Sequence, residues 1–122
     1  METLGVAAPI LPGKLGQWRE MVNELRRRSD EHARSMKAKG LAREDLWLQQ
    51  TPFGDTVILY MEGEELATYM KKVFESDAPF DRWFAQQLRE VHGIDPSQPP
   101  PKTERGKTLL ARPSMLRLRT TL

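Results

Sequence analysis

The sequence predicts an α+β fold: an antiparallel sheet with helices on one face. Three observations predict it. Residues 46–61, LWLQQTPFGDTVILYM, are two runs of strand formers around a Pro-Phe-Gly-Asp turn. Residues 14–39 repeat apolar side chains at spacings of three and four, the period of a half-buried helix. Two further helical patterns follow the hairpin and none separates its strands, so the strands pair directly and the helices pack on them.

In chain order, residues 3–11 (TLGVAAPIL) read as a strand held to an edge or ended early by Pro9, and Pro12-Gly13 turns the chain. The long helix runs from Lys14 to Lys39. Its inward stripe is Leu15, Trp18, Val22, Leu25, Ser29, His32 or Ala33, and Met36, and Gly40 closes it. The stripe turns polar at Ser29 and His32, and a polar group aimed at a sheet needs a partner or a water-filled space. The helix therefore either overhangs the sheet or covers a pocket between helix and sheet.

With Phe53-Gly54 as the hairpin turn, Gln50 opposes Val57, Leu48 opposes Leu59 and Leu46 opposes Met61. The other face then pairs Thr51 with Thr56, Gln49 with Ile58 and Trp47 with Tyr60. Side chains alternate faces, so a slip in the turn changes these pairs. Neither face is polar enough to stand in water, and the helices cover one.

A second helix over 64–76 buries Leu66, Tyr69, Met70, Val73 and Phe74, with Glu64 and Glu65 in its first turn. Pro79 opens a third helix that buries Phe80, Trp83 or Phe84, Leu88 and Val91 before Gly93 stops it. The order strand, helix, hairpin, helices and a possible last strand at Thr108–Ala111 matches the split βαβ of ferredoxin-like folds. The division is a ferredoxin-like domain over 1–95 and a C-terminal extension over 96–122. The extension is Pro-rich and extended at first, then basic.

The 122 residues suit one domain with one core. No run of about 18 apolar residues is present, so no membrane partner is expected. There is no cysteine, which favours a cytoplasmic protein. The net charge of +2 divides unevenly, with thirteen basic against fifteen acidic residues up to position 94 and six against two beyond it. The basic tail has no aromatic residue, which argues against a nucleic-acid interface.

Certain stretches are familiar in combination: PILPGK (9–14), WLQQTPFGD (47–55), DAPFDRWF (77–84) and HGID (92–95) with the prolines after it. They resemble a small family of uncharacterised bacterial proteins, itself similar to the dimeric α/β-barrel superfamily of cofactor-free monooxygenases, haem-degrading enzymes and small-molecule isomerases. The resemblance covers roughly residues 4–101 and implies a ferredoxin-like chain that dimerises through its sheet. From Lys102 onward the chain departs from the pattern.

No phosphate-binding loop, no HExxH and no pair of histidines at ligand spacing occurs, so neither a metal nor a cofactor is expected. His32, which titrates near neutrality, is the candidate acid or base. Ser29, Gln49 and Gln50 are candidate ligand-binding polar groups. Trp18, Trp47, Tyr60 and Trp83 are candidate flat walls for an organic ligand. Two functions fit. One is a non-catalytic homodimer that binds a small organic ligand or a partner. The other is a cofactor-free oxygenase, isomerase or cyclase acting on an aromatic or polyketide-like molecule.

Overall fold

The computed structural model describes residues 1–99, 101–107 and 109. Strand β1 (Glu2–Pro9) leads into helices α1 (Leu15–Arg27) and α2 (Ser29–Ala38). Strands β2 (Leu41–Thr51) and β3 (Gly54–Gly63) form the hairpin, and α3 (Tyr69–Glu75) and α4 (Pro79–His92) follow a 3₁₀ turn at Leu66–Thr68. The sheet is three-stranded and antiparallel in the order β1-β3-β2. β1 and β2 therefore run parallel to each other with β3 between them. The expected fourth strand at 108–111 and the alternation at 114–122 lie outside the described residues except for Leu109, which is exposed and in no strand.

The sheet has a helix side and an open side. Leu4, Val6 and Ala8 of β1, Leu46 and Leu48 of β2, and Val57, Leu59 and Met61 of β3 pack into the core with Trp18, Leu25, Tyr69, Phe84 and Val91. The facing residues are Thr3, Gly5, Ala7 and Pro9 on β1, Thr56, Ile58, Tyr60 and Glu62 on β3, and Arg43, Asp45, Trp47 and Gln49 on β2. Among the described residues, no helix covers that side.

The hairpin register differs from the expected one by two residues. Thr51 opposes Gly54, so Pro52-Phe53 is the turn, Leu48 faces Val57 and Trp47 faces Ile58. The Thr51 side chain sets this: its hydroxyl accepts from the Phe53 amide (3.1 Å) and donates to the Gly54 carbonyl (3.0 Å), closing the loop one residue early. A shift of two preserves face membership, so the two faces are as expected while every cross-strand pair changes. The Phe53 ring is fully exposed. Phe53→Ser is expected to move the urea midpoint by no more than the equivalent of about 0.5 kcal/mol.

Three other expectations are corrected. The helix over 14–39 is two helices: Arg28 leaves helical geometry (φ −106°, ψ 34°) between α1 and α2. Its guanidinium lies over the rings of Phe80 and Trp83 and bonds Glu31, while the Arg28 amide to Glu24 and the His32 amide to Arg28 keep helical hydrogen bonds across the kink. Glu64 and Glu65 precede the second helix rather than opening it, since Glu65 is left-handed (φ 56°) and the next turn is 3₁₀. Residues 95–98 form a turn instead of an extended run. The Asp95 carboxylate accepts from the amide (2.9 Å) and hydroxyl (2.7 Å) of Ser97, and the Gln98 amide donates to the Asp95 carbonyl.

Candidate functional site

Two places gather chemistry-bearing side chains. The first is a polar seam between α2 and α4. Arg28, His32, Ser35 and Lys39 recur at helical spacing and form one stripe of α2 and its flanks. The stripe faces α4, not the sheet. Asp81, in the first turn of α4, is almost wholly buried. Its carboxylate accepts from Lys39 Nζ (2.8 Å), from Ser76 Oγ (2.6 Å) and from Ser35 Oγ. Lys39 Nζ also donates to Ser35 Oγ (2.8 Å), so two buried charges and two half-buried hydroxyls satisfy one another. Burial works to raise the Asp81 carboxyl, but the hydrogen bonds from Lys39, Ser35 and Ser76 and the Lys39 charge outweigh it and hold it below the usual carboxylate range.

One turn along α2, the His32 ring packs against Phe80 (5.8 Å between centroids) and Phe84 (5.7 Å). Its Nε2 is buried with no hydrogen-bond partner among the described residues, and desolvation lowers its basicity. The imidazole is half-buried against the two phenyl rings, which favour its neutral form.

The second place is the open face of the sheet, which is arranged in rows across the three strands. Ala7, Ile58 and Trp47 form an apolar row, flanked by Pro9, Thr56 and Gln49 on one side and by Gly5, Tyr60 and Asp45 on the other. The last row is Thr3, Glu62 and Arg43. Arg43 pairs with Asp45 (2.9 Å) and Glu62 (3.8 Å), and the Tyr60 hydroxyl donates to Glu62 (3.0 Å). Trp47 keeps 56% of its surface exposed, the largest exposure of any tryptophan in the chain. Arg105 reaches back from the C-terminal segment to the Thr3 hydroxyl at the β1 edge of this face.

The candidate residues fall accordingly. Trp47, Gln49 and Tyr60 share the open face, and His32 and Trp83 share the α2–α4 seam. Trp18 is core, Ser29 is exposed at the start of α2, and Gln50 is on the opposite face from Gln49, across from Asp55. Lys39 and Ser35 carry no signal in the sequence, and Asp81 reads there as a first-turn carboxylate pairing locally with Arg82 at the surface; the structure instead buries it and pairs it with Lys39. The signal for that burial was present, since Asp81 lies four residues before Ala85 and seven before Leu88 on the apolar face of α4.

A shallow depression of about 340 Å³ beside α3 and α4 is lined by Phe74, Ser76, Asp77, Arg82, Gln86 and Arg89, and by none of the candidates. Among the described residues, no group of three or more His, Asp or Glu side chains is placed to hold a metal ion, and no helix is long and apolar enough to cross a membrane.

Residues 1–110 match the family of unknown function DUF6176. The chain belongs to this family. No curated protein and no solved structure matches it. The DUF6176 match spans both places described above, the seam and the open face.

Proposed function

We propose that this DUF6176 protein is a cytoplasmic, non-catalytic homodimer of the dimeric α/β-barrel type. Two copies meet through their open sheet faces, and a flat organic ligand lies between Trp47, Gln49 and Tyr60 of each copy. The carrying observation is the uncovered row of Trp47, Ile58 and Ala7 at the centre of a sheet whose other side is fully packed. An exposed aromatic beside the central isoleucine of an apolar row is an association surface rather than ordinary solvent-facing polarity.

The β1-β3-β2 order, with β1 and β2 parallel and β3 between them, supports the ferredoxin-like assignment. The enzyme alternative would place its acid or base at His32, and the phenyl rings against that imidazole argue against it.

Sedimentation tests the reading. The full chain is expected to run as a dimer at micromolar concentration. Trp47→Asp is expected to weaken association by at least about 30-fold, the loss of one central anchor of about 2 kcal/mol. A wild-type chain that sediments only as a 14.1 kDa particle at that concentration overturns the proposal.

A further inference from the structure

Helices α3 and α4 leave a depression of about 340 Å³ beside the turn that joins them. That size is at the lower end for a small-molecule site. Its apolar lining is Phe74 on α3 and the buried Ala85 on α4. It shares no residue with the open sheet face, so what it binds does not depend on whether two copies meet there.

The polar lining carries both signs. On α4, Arg82, Gln86 and Arg89 follow at spacings of four and three and form one stripe along the helix. Arg82 and Arg89 stand about 10 Å apart along the axis, seven residues at about 1.5 Å each. The Arg89 guanidinium is set over the Phe74 ring, 5.0 Å from its centre. Ahead of the helix, the joining turn contributes Asp77 and Ser76. The Ser76 hydroxyl donates to Asp81 (2.6 Å) and accepts from the Ala78 amide (3.2 Å), so toward a ligand it offers a lone pair and no proton.

These groups are not spent on the protein. Asp81, the carboxylate next to Arg82 in sequence, turns inward to Lys39. Among the described residues Arg82, Arg89 and Asp77 make no ion pair, and the Gln86 amide makes no side-chain hydrogen bond. The partial positive charge at the start of α4 already has the Asp81 carboxylate in its first turn. A lone anion here would meet Asp77, and a lone cation would meet two guanidiniums. The depression therefore favours a ligand that carries both charges.

We propose that this depression binds a short peptide with free termini. Extended, two or three residues span about 7–10 Å, which matches the length of the stripe. The ammonium lies against Asp77 and Ser76, the carboxylate against Arg89, and Arg82 and Gln86 donate to the peptide carbonyls between them. A small apolar side chain rests on Phe74 and Ala85. The main chain and its two ends carry the recognition, so the site reads length and free termini before it reads sequence.

Trialanine, titrated into the nitrogen-15-labelled full chain, tests this. Saturable shifts are expected in the amides of residues 74–89, with a dissociation constant on the order of 1–10 mM for a site this open. N-acetyl-trialanine lacks the ammonium and trialanine amide lacks the carboxylate. Each should bind at least about threefold more weakly, the worth of one exposed charge contact. Asp77→Asn and Arg89→Gln, both at exposed side chains, should weaken trialanine to the same extent. Acetylation should then cost nothing more in Asp77→Asn, and amidation nothing more in Arg89→Gln. The proposal is overturned if trialanine gives no saturable shift there, or if either capped peptide binds the unaltered protein as tightly as trialanine does. It is equally overturned if either variant binds trialanine unchanged, if the caps cost as much in the variants, or if inorganic phosphate binds more tightly than the peptide.

Discussion

Lys39→Met is expected to cost about 3–5 kcal/mol of folding stability, read as a drop in the urea midpoint at unchanged slope. The lysine is nearly buried and its ammonium contacts both Asp81 and Ser35. Methionine keeps the stem's volume but leaves the Asp81 carboxylate buried without its cation. The two serine hydroxyls that remain on Asp81 are neutral donors, and neutral donors do not repay the desolvation of a full charge. Replacing both partners separates that penalty from the worth of the pair. Lys39→Met with Asp81→Leu should recover most of the loss, because it removes the orphaned charge along with its partner. If the single substitution costs under about 1 kcal/mol, water reaches Asp81 and the seam is not sealed.

The same seam has a pH signature opposite to that of Glu44. Asp81 is held below the ordinary carboxylate range, so its contribution is present above the unfolded value and is lost as pH falls through the folded one. Glu44, on the helix side of β2 opposite Met61, is raised to about 7 by desolvation and the charge of Asp45, so its contribution is lost as pH climbs toward 7. The two carboxyls thus bound stability from both sides, with the best range in mildly acidic solution. Lys39→Met relieves the acid-side loss and leaves the alkaline-side loss in place, which distinguishes the two groups in a single pH series.

The sequence made the helix faces legible because they depend on local period alone: Trp18, Leu25, Tyr69, Val73, Phe80, Leu88 and Val91 are all buried where the spacing puts them. The division of the hairpin into two faces was legible for the same reason. The cross-strand partners were not, since the hydroxyl of Thr51 chose the turn, and one side chain outranked the Phe-Gly pair. The break at Arg28 was hidden because no glycine or proline marks it and the helical period runs on through it. The seam was hidden for another reason. Ser29 and His32 announced a polar stripe, but Asp81 reads on its own as an ordinary first-turn carboxylate. Only tertiary packing brings Lys39 to it. Alternation back from Leu48 and Leu46 puts Glu44 on the helix side, but the strand pattern read from sequence began at Leu46 and stopped short of it.

Gly63→Ala is expected to cost about 3 kcal/mol or more, although its backbone is not in the left-handed region and alanine would be acceptable by dihedral angles alone. The obstacle is a crossing of two chain segments. A Cβ at Gly63 would lie 2.3 Å from the Gly40 carbonyl oxygen, 3.0 Å from Leu41 Cα and 3.1 Å from a Leu66 methyl. The first two are backbone and cannot rotate away. That same Gly40 carbonyl accepts the Glu64 amide at 2.8 Å, so pushing it aside also breaks the bond that ties the end of β3 to the start of β2. Overpacking of about 1–3 kcal/mol therefore adds to about 1 kcal/mol for the hydrogen bond. Gly5→Ala is the control, because a Cβ there meets nothing within 4 Å and the position is in the middle of a strand. It should be neutral or stabilise by up to about 1 kcal/mol through the unfolded chain. Thermal melts of the two variants side by side decide the point. If Gly63→Ala melts within a few degrees of the unaltered protein, the β2 and β3 ends do not cross as closely as their carbonyls indicate.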